Sequence, residues 1–279
     1  MIDGEVPIQN EESARPSLYL TEITRGLFNS ETFGDITINI LNKSGRKVRV
    51  EGADNIPEGG RYIVAANHFV RVEDTDKMTG SQKMNDLLEL MGAINKLIKD
   101  KNQNARVIWT PSEIPRPEGL PPDITQGNSA AEVWNWLIND AKFLPINISR
   151  KIFLRLFNNS PDIIPVPHTI KGMRAFLDKV DSSISDGNVP AIFPEGEVSR
   201  ELLKAHDGAA YIAIRKNIPI LPISQYDENG TLVVKVGPLI KPPSTEDPMK
   251  KTDFTYKIMS SIASRLPEQL RGFYKDSVS

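Results

Sequence analysis

Cysteine is absent from this 279-residue chain, which excludes disulfides, thiolate metal sites and a cysteine nucleophile together. Histidine is almost as scarce. The three present are His68, His168 and His206, and no two stand four residues apart as a helical metal pair would require; the chain is expected to hold no metal. No charge of one sign dominates, since 34 basic residues face 36 acidic ones for a net charge of −2. That balance supplies no global field to concentrate nucleic acid, and no nucleic-acid partner is expected. No apolar run approaches the ~20 residues needed to cross a bilayer, and the polar, acidic stretch Met1 to Pro16 lacks the basic-then-apolar layout of a signal peptide. Any membrane contact is therefore expected to be interfacial.

What is present is enough apolar material, 39% of residues, to bury a substantial core. Short apolar runs at Tyr62 to Ala65, Arg106 to Trp109, Ile163 to Val166, Pro190 to Phe193, Ile218 to Ile223 and Leu232 to Val236 read as strands. Between them, Met84, Leu87, Leu88, Met91, Ile94 and Ile98 recur at helical spacing, as do Met173, Phe176, Leu177, Val180 and Ile184, and then Phe254, Ile258, Ile262 and Leu266. Strands separated by helices predict an α/β fold with a central, mostly parallel sheet flanked by helices. A turn at Glu228-Asn229-Gly230 predicts a hairpin that makes the sheet mixed. Ile36 to Ile40 and Lys47 to Val50 flank Asn42-Lys43-Ser44-Gly45 and read as a second hairpin. Residues 1–34 form an N-terminal extension with a short helix suggested by Leu20, Ile23 and Leu27, and residues 35–279 form one α/β domain. Between Thr110 and Asn128, Pro111, Pro115, Pro117, Pro121 and Pro122 preclude a helix or inner strand and leave a surface loop or a lid.

Two short motifs carry chemistry. The buried strand ending at Ala66 runs into Asn67-His68, which puts an imidazole at a strand's carboxyl end, where α/β sheets gather their ligands. Glu73 and Asp74 follow; a carboxylate on one ring nitrogen would fix the tautomer and raise the basicity of the other. A structural histidine capping the strand is the alternative. The second apolar strand runs into Phe193-Pro194-Glu195-Gly196, with Ser199-Arg200 beyond. Gly196 allows close approach of a ligand to the backbone, and Glu195 and Arg200 are suited to hydroxyl and phosphate groups; an ordinary solvated turn is the alternative.

Taken in order, these motifs resemble those of the glycerophospholipid acyltransferase family, which includes the lysophosphatidic acid acyltransferases. Asn67-His68 with Glu73 or Asp74 resembles its first motif, Phe193-Pro194-Glu195-Gly196 with Ser199-Arg200 its third, and Ile218-Pro219-Ile220-Leu221-Pro222-Ile223 its fourth. Val50-Glu51-Gly52 through Asn55-Ile56-Pro57 and Asp207-Gly208-Ala209-Ala210 are similar to its flanking segments. The resemblance runs from Val50 to Leu239. It departs at three places: Glu73 stands where the family has Asp, Val198 where it has the third-motif Arg, and Pro165-Val166-Pro167-His168 where a second-motif Arg is expected.

The resemblance implies an acyltransferase of phospholipid biosynthesis. His68 would act as general base on an acceptor hydroxyl, oriented by Glu73 or Asp74, with Asn67, Glu195, Gly196 and Arg200 binding substrate. The acyl donor would be acyl-CoA or acyl carrier protein, as co-substrate rather than cofactor, and the acceptor a lysophospholipid or glycerol phosphate. It also implies a cytoplasmic protein, free or peripheral on the inner face of the membrane. Phe143 to Phe157, with Arg150, Lys151 and Arg155 among apolar residues, is suited either to an interface or to a helix packed on the sheet. Two alternatives stay open: a non-catalytic lipid- or acyl-binding relative, favoured by Glu73 for Asp, and an O-acyltransferase with a non-phosphate acceptor, favoured by the missing arginines. A serine hydrolase is set aside because no Gly-x-Ser-x-Gly elbow is present.

Overall fold

A computed structural model describes residues 15–59, 61–69, 71, 80–111, 160–167, 170–243 and 251–278. Among the described residues six strands form one sheet: β1 (Lys47–Glu51), β2 (Ile63–Ala66), β3 (Val107–Trp109), β4 (Val189–Ile192), β5 (Ile220–Glu228) and β6 (Thr231–Val236), in the order β1-β6-β5-β2-β4-β3. All neighbouring pairs are parallel except β5 and β6. The helices are α1 (Arg15–Phe28), α2 (Phe33–Lys43), α3 (Gly80–Lys101), α4 (Ile170–Ser185), α5 (Gly208–Lys216) and α6 (Lys251–Ala263). This is the mixed, mostly parallel α/β sheet expected from the alternation of apolar runs and helical patterns. The inner strands β2 and β4 are buried at every position, as sheets covered on both faces require, whereas β1 is exposed along its length at the edge.

The β5–β6 hairpin forms at the expected place, with Asn229 (φ 52°) and Gly230 (φ 81°) in left-handed backbone, the geometry of a tight two-residue turn. The earlier hairpin does not form. Ile36 to Ile40 lie in α2, and β1 pairs with β6 instead. The alternating isoleucines read as a strand, yet Phe33, Ile36, Thr37, Ile40 and Leu41 are the buried residues, which is helical spacing once Phe33 and Thr37 are counted. Thr32 caps the helix by accepting from the Asp35 amide at 3.1 Å, and the buried Asp162 accepts from the Gly34 amide at 3.3 Å. Ile163 to Val166 also fall short of a strand: Ile163 makes one bridge to Trp109, and the prolines at 165 and 167 break the ladder by removing its donors.

Two helices form the floor on which the site is built. Gly92 of α3 lies so close to α2 that a β-carbon would stand 2.4 Å from the Thr37 carbonyl oxygen. Asn95, three residues on, donates to the Thr37 hydroxyl at 2.6 Å and accepts from the Trp109 indole at 3.2 Å, tying α2 and α3 to the carboxyl end of β3. α1 joins the same core through Tyr19, Leu20 and Ile23; the Tyr19 hydroxyl donates to Glu89 at 2.6 Å. Glu89 also pairs with Arg46 at 2.5 Å. Among the described residues no helix is long and apolar enough to cross a membrane.

Candidate active site

Parallel pairing of β2 and β4 brings both motifs to one edge of the sheet. The loops beyond are stitched together: Ser199 donates its amide to the His68 carbonyl at 3.0 Å, and Phe69 bridges Ser199. Glu195 reinforces the seam from below. One carboxylate oxygen accepts from the His68 amide at 2.8 Å and the other from the Leu203 amide at 2.9 Å. The carboxylate is buried, and burial pushes its pKa up to about 7 against the opposing pull of those two amides. Glu195 thus couples the loops with both oxygens engaged by backbone.

Asn67 has a similar architectural role. Its side chain donates to the Gln225 carbonyl at 2.9 Å and accepts from the Gln225 amide at 2.7 Å, so it fastens the first loop to β5 as a further strand residue would. The flanking Val-x-Gly segment works the same way. Gly52 (φ 74°) would place a β-carbon 2.3 Å from the Val236 carbonyl oxygen, which only glycine avoids, and the Asn55 side-chain Nδ2 donates to that same oxygen at 2.9 Å. Arg71, three residues after His68, is held on α3 by Asp86, which accepts from the Arg71 amide at 3.1 Å and from its guanidinium.

His68 itself lines a cavity of about 460 Å³. The ring is 8% exposed and stacks on Phe193 at 4.4 Å with 9° between planes; Phe193 stacks in turn on Trp109 at 5.0 Å. This row of rings fixes the imidazole plane, and the Asn95 bond to Trp109 anchors its far end. Neither ring nitrogen has a hydrogen-bond partner among the described residues. Burial lowers the imidazole pKa to about 4, so the ring is neutral at pH 7 and its basic lone pair is available. The remaining wall is largely apolar, from Met84, Leu87, Leu88 and Met91 of α3, Phe33 of α2 and Ile192 of β4.

Of the residues expected in the site, His68 and Gly196 line the cavity, while Asn67, Glu195 and Arg200 are not among its lining residues. Arg200 is half-buried in the loop after Gly196. Glu73, Asp74, His168, most of the proline-rich loop and the Phe143 to Phe157 segment lie outside the described residues. His206, Trp109 and Thr110 also line the cavity, and no sequence motif had marked them. His206 was legible only as one of three histidines two residues before the Gly208-Ala209-Ala210 segment.

Residues 127–225 match a family model described as Acyltransferase. The match spans the Phe193 motif and the Ile218 to Ile223 strand, and begins after Asn67-His68. No curated protein matches the chain. The solved structure of the 1-acyl-sn-glycerophosphate (LPA) acyltransferase PlsC from Thermotoga maritima is similar at 15% identity and a TM-score of 0.42, over 90% of this chain and 80% of that one. The match over residues 127–225 covers the second half of the motif series, and its description agrees with the acyltransferase resemblance that those motifs carry.

Proposed function

We propose that this protein transfers a fatty acyl group from the thioester of acyl-CoA or acyl carrier protein to a hydroxyl of a lysophospholipid or glycerol-phosphate acceptor. The observation that carries this reading is a neutral imidazole, both nitrogens unpartnered among the described residues, set in the wall of an apolar cavity. Its volume of about 460 Å³ falls within the roughly 300–1,000 Å³ typical of ligand pockets, and apolar walls suit a hydrocarbon chain.

His68 takes the proton of the acceptor hydroxyl as the oxygen attacks the thioester carbonyl; the tetrahedral oxyanion collapses, the acyl oxygen-ester bond remains and the thiolate leaves, recovering the proton from His68. A pKa of about 4 makes an isolated imidazole a weak base. Glu73 or Asp74 bonded to the other ring nitrogen would raise that basicity and stabilise the imidazolium. The acyl chain lies against α3, and the Phe193 ring keeps the imidazole from rotating away. Membrane association would be peripheral.

The test is thiol release from acyl-CoA by the purified protein, with and without lysophosphatidate, beside His68→Ala. Acceptor-dependent release in the native protein, lost in a variant that still folds, is the expected result. Equal release by both proteins would reject His68 as the base, and acyl-chain binding without any turnover would favour a binding protein.

A further inference from the structure

The missing motif arginines leave open which groups receive a charged substrate, and the cavity mouth offers a different set. His206 lies there, exposed to solvent. Its amide donates to the Pro194 carbonyl at 2.9 Å, and its ring lies over Gly196, where a β-carbon would come within 3.3 Å of Cδ2 and 3.6 Å of Nε2. Gly196 (φ 71°) thus leaves the space that the second imidazole occupies. No side-chain hydrogen bond of His206 is made among the described residues.

Two residues on, the first turn of α5 reaches the same cavity at Gly208. Its N-cap Asp207 makes no capping bond, because the carboxylate is turned to α6, accepting from the Thr252 hydroxyl at 3.1 Å and the Thr255 hydroxyl at 2.7 Å. The amides of Gly208, Ala209 and Ala210 therefore have no partner among the described residues, and unsatisfied first-turn amides carry the positive end of the helix dipole. The nine-tenths-buried His68, unpartnered among the described residues, lines this cavity as well, so a ligand held at the mouth would extend to the reacting base.

We propose that the mouth is an anion subsite in which the His206 imidazole and the uncapped first turn of α5 hold a phosphate group of a substrate. Helix N-termini bind phosphate through free amides, and an imidazole N–H adds a directional bond. The inference rests on the acyl-transfer reading for the identity of the substrate, but phosphate binding is measurable without turnover. The phosphate is either the acceptor's headgroup or one carried by the donor's thioester arm.

Imidazole and amide NMR signals of the full chain are followed during titration with glycerol 3-phosphate, with glycerol as control, and His206→Gln assigns the His206 signals. The expected result is a shift of the His206 ring and of the Gly208 and Ala209 amides with the phosphate alone. No shift, or equal shifts with glycerol, overturns the subsite. In turnover, His206→Ala is expected to raise KM about tenfold, the size of one charge-assisted hydrogen bond. A rise for lysophosphatidate with none for monoacylglycerol places the acceptor's phosphate there. A rise for acyl-CoA with none for acyl-pantetheine places the donor's. Unchanged KM for all four, with His68-dependent transfer intact, overturns the proposal; if transfer itself is absent, the acyl-transfer reading fails and the NMR titration alone decides the subsite.

Discussion

His68 and Glu195 are joined through one backbone amide, and burial shifts them in opposite directions. The imidazole falls from 6.5 to about 4, so between those values the unfolded chain binds the extra proton and His68's contribution to stability is lost as pH falls. The carboxyl rises from 4.5 to about 7, so the folded chain holds the extra proton and Glu195's contribution is lost as pH rises through 7. Each is on the order of 3 kcal/mol, and the two oppose one another between pH 4.5 and 6.5, leaving native stability nearly flat there. His68→Gln is expected to lose stability as pH rises through that window, and Glu195→Gln to lose it as pH falls. Urea midpoints across pH measure this directly, and parallel profiles for all three proteins would refute it.

At the scale of elements, the site depends on how closely α3 lies against α2 and β3. Gly92 sets the α2–α3 distance, and Asn95 passes it on to Trp109 and hence to the Phe193–His68 stack. Gly92→Ala forces a methyl into the Thr37 carbonyl and is expected to cost about 1–3 kcal/mol as overpacking, read as a lower urea midpoint. Asn95→Ala breaks two buried bonds without adding bulk. It is expected to lower kcat more than KM for the acceptor, because the ring row loses its anchor while the cavity mouth is untouched; an unchanged kcat would separate Trp109 from the positioning of His68.

For the whole molecule, the parallel sheet gathers at one edge what the chain keeps far apart. The cavity is lined by α2, α3, the carboxyl ends of β3 and β4, His68 beyond β2 and the start of α5, segments that run from Phe33 to Gly208. Its depth should set which acyl chains fit. Leu87→Trp, on the cavity-facing side of α3, is expected to reduce transfer from long-chain donors by about tenfold, as a pocket losing several methylene contacts would, with little change for short-chain donors. Equal losses at every chain length would remove this cavity as the acyl site.

The strands and the helical faces of α3, α4 and α6 were legible in the sequence because hydrophobic period reports burial directly, and so was the β5–β6 turn, whose Asn229-Gly230 pair names its backbone conformation. Asn67-His68 and Phe193 to Gly196 were legible as loops at the carboxyl ends of apolar strands for the same local reason. α2 was misread because a run of alternating isoleucines satisfies a strand pattern, and only the Thr32 cap, Asp162 from a distant segment and the face packed on α3 make it helical. Glu195 shows the other limit: a carboxylate in a motif looks like a ligand group, yet its partners are two backbone amides, one from Leu203 in its own loop and one from His68, which reaches it only when β2 and β4 pair. His206 stood alone in the sequence, and it became part of the site because the loop after Gly196 folds back over that glycine. Local pattern determined which segments would be strands, helices and connecting loops; pairing and packing decided which side chains face the cavity and which hold its walls, since those contacts join segments far apart in the chain, up to 158 positions for Asn67 and Gln225.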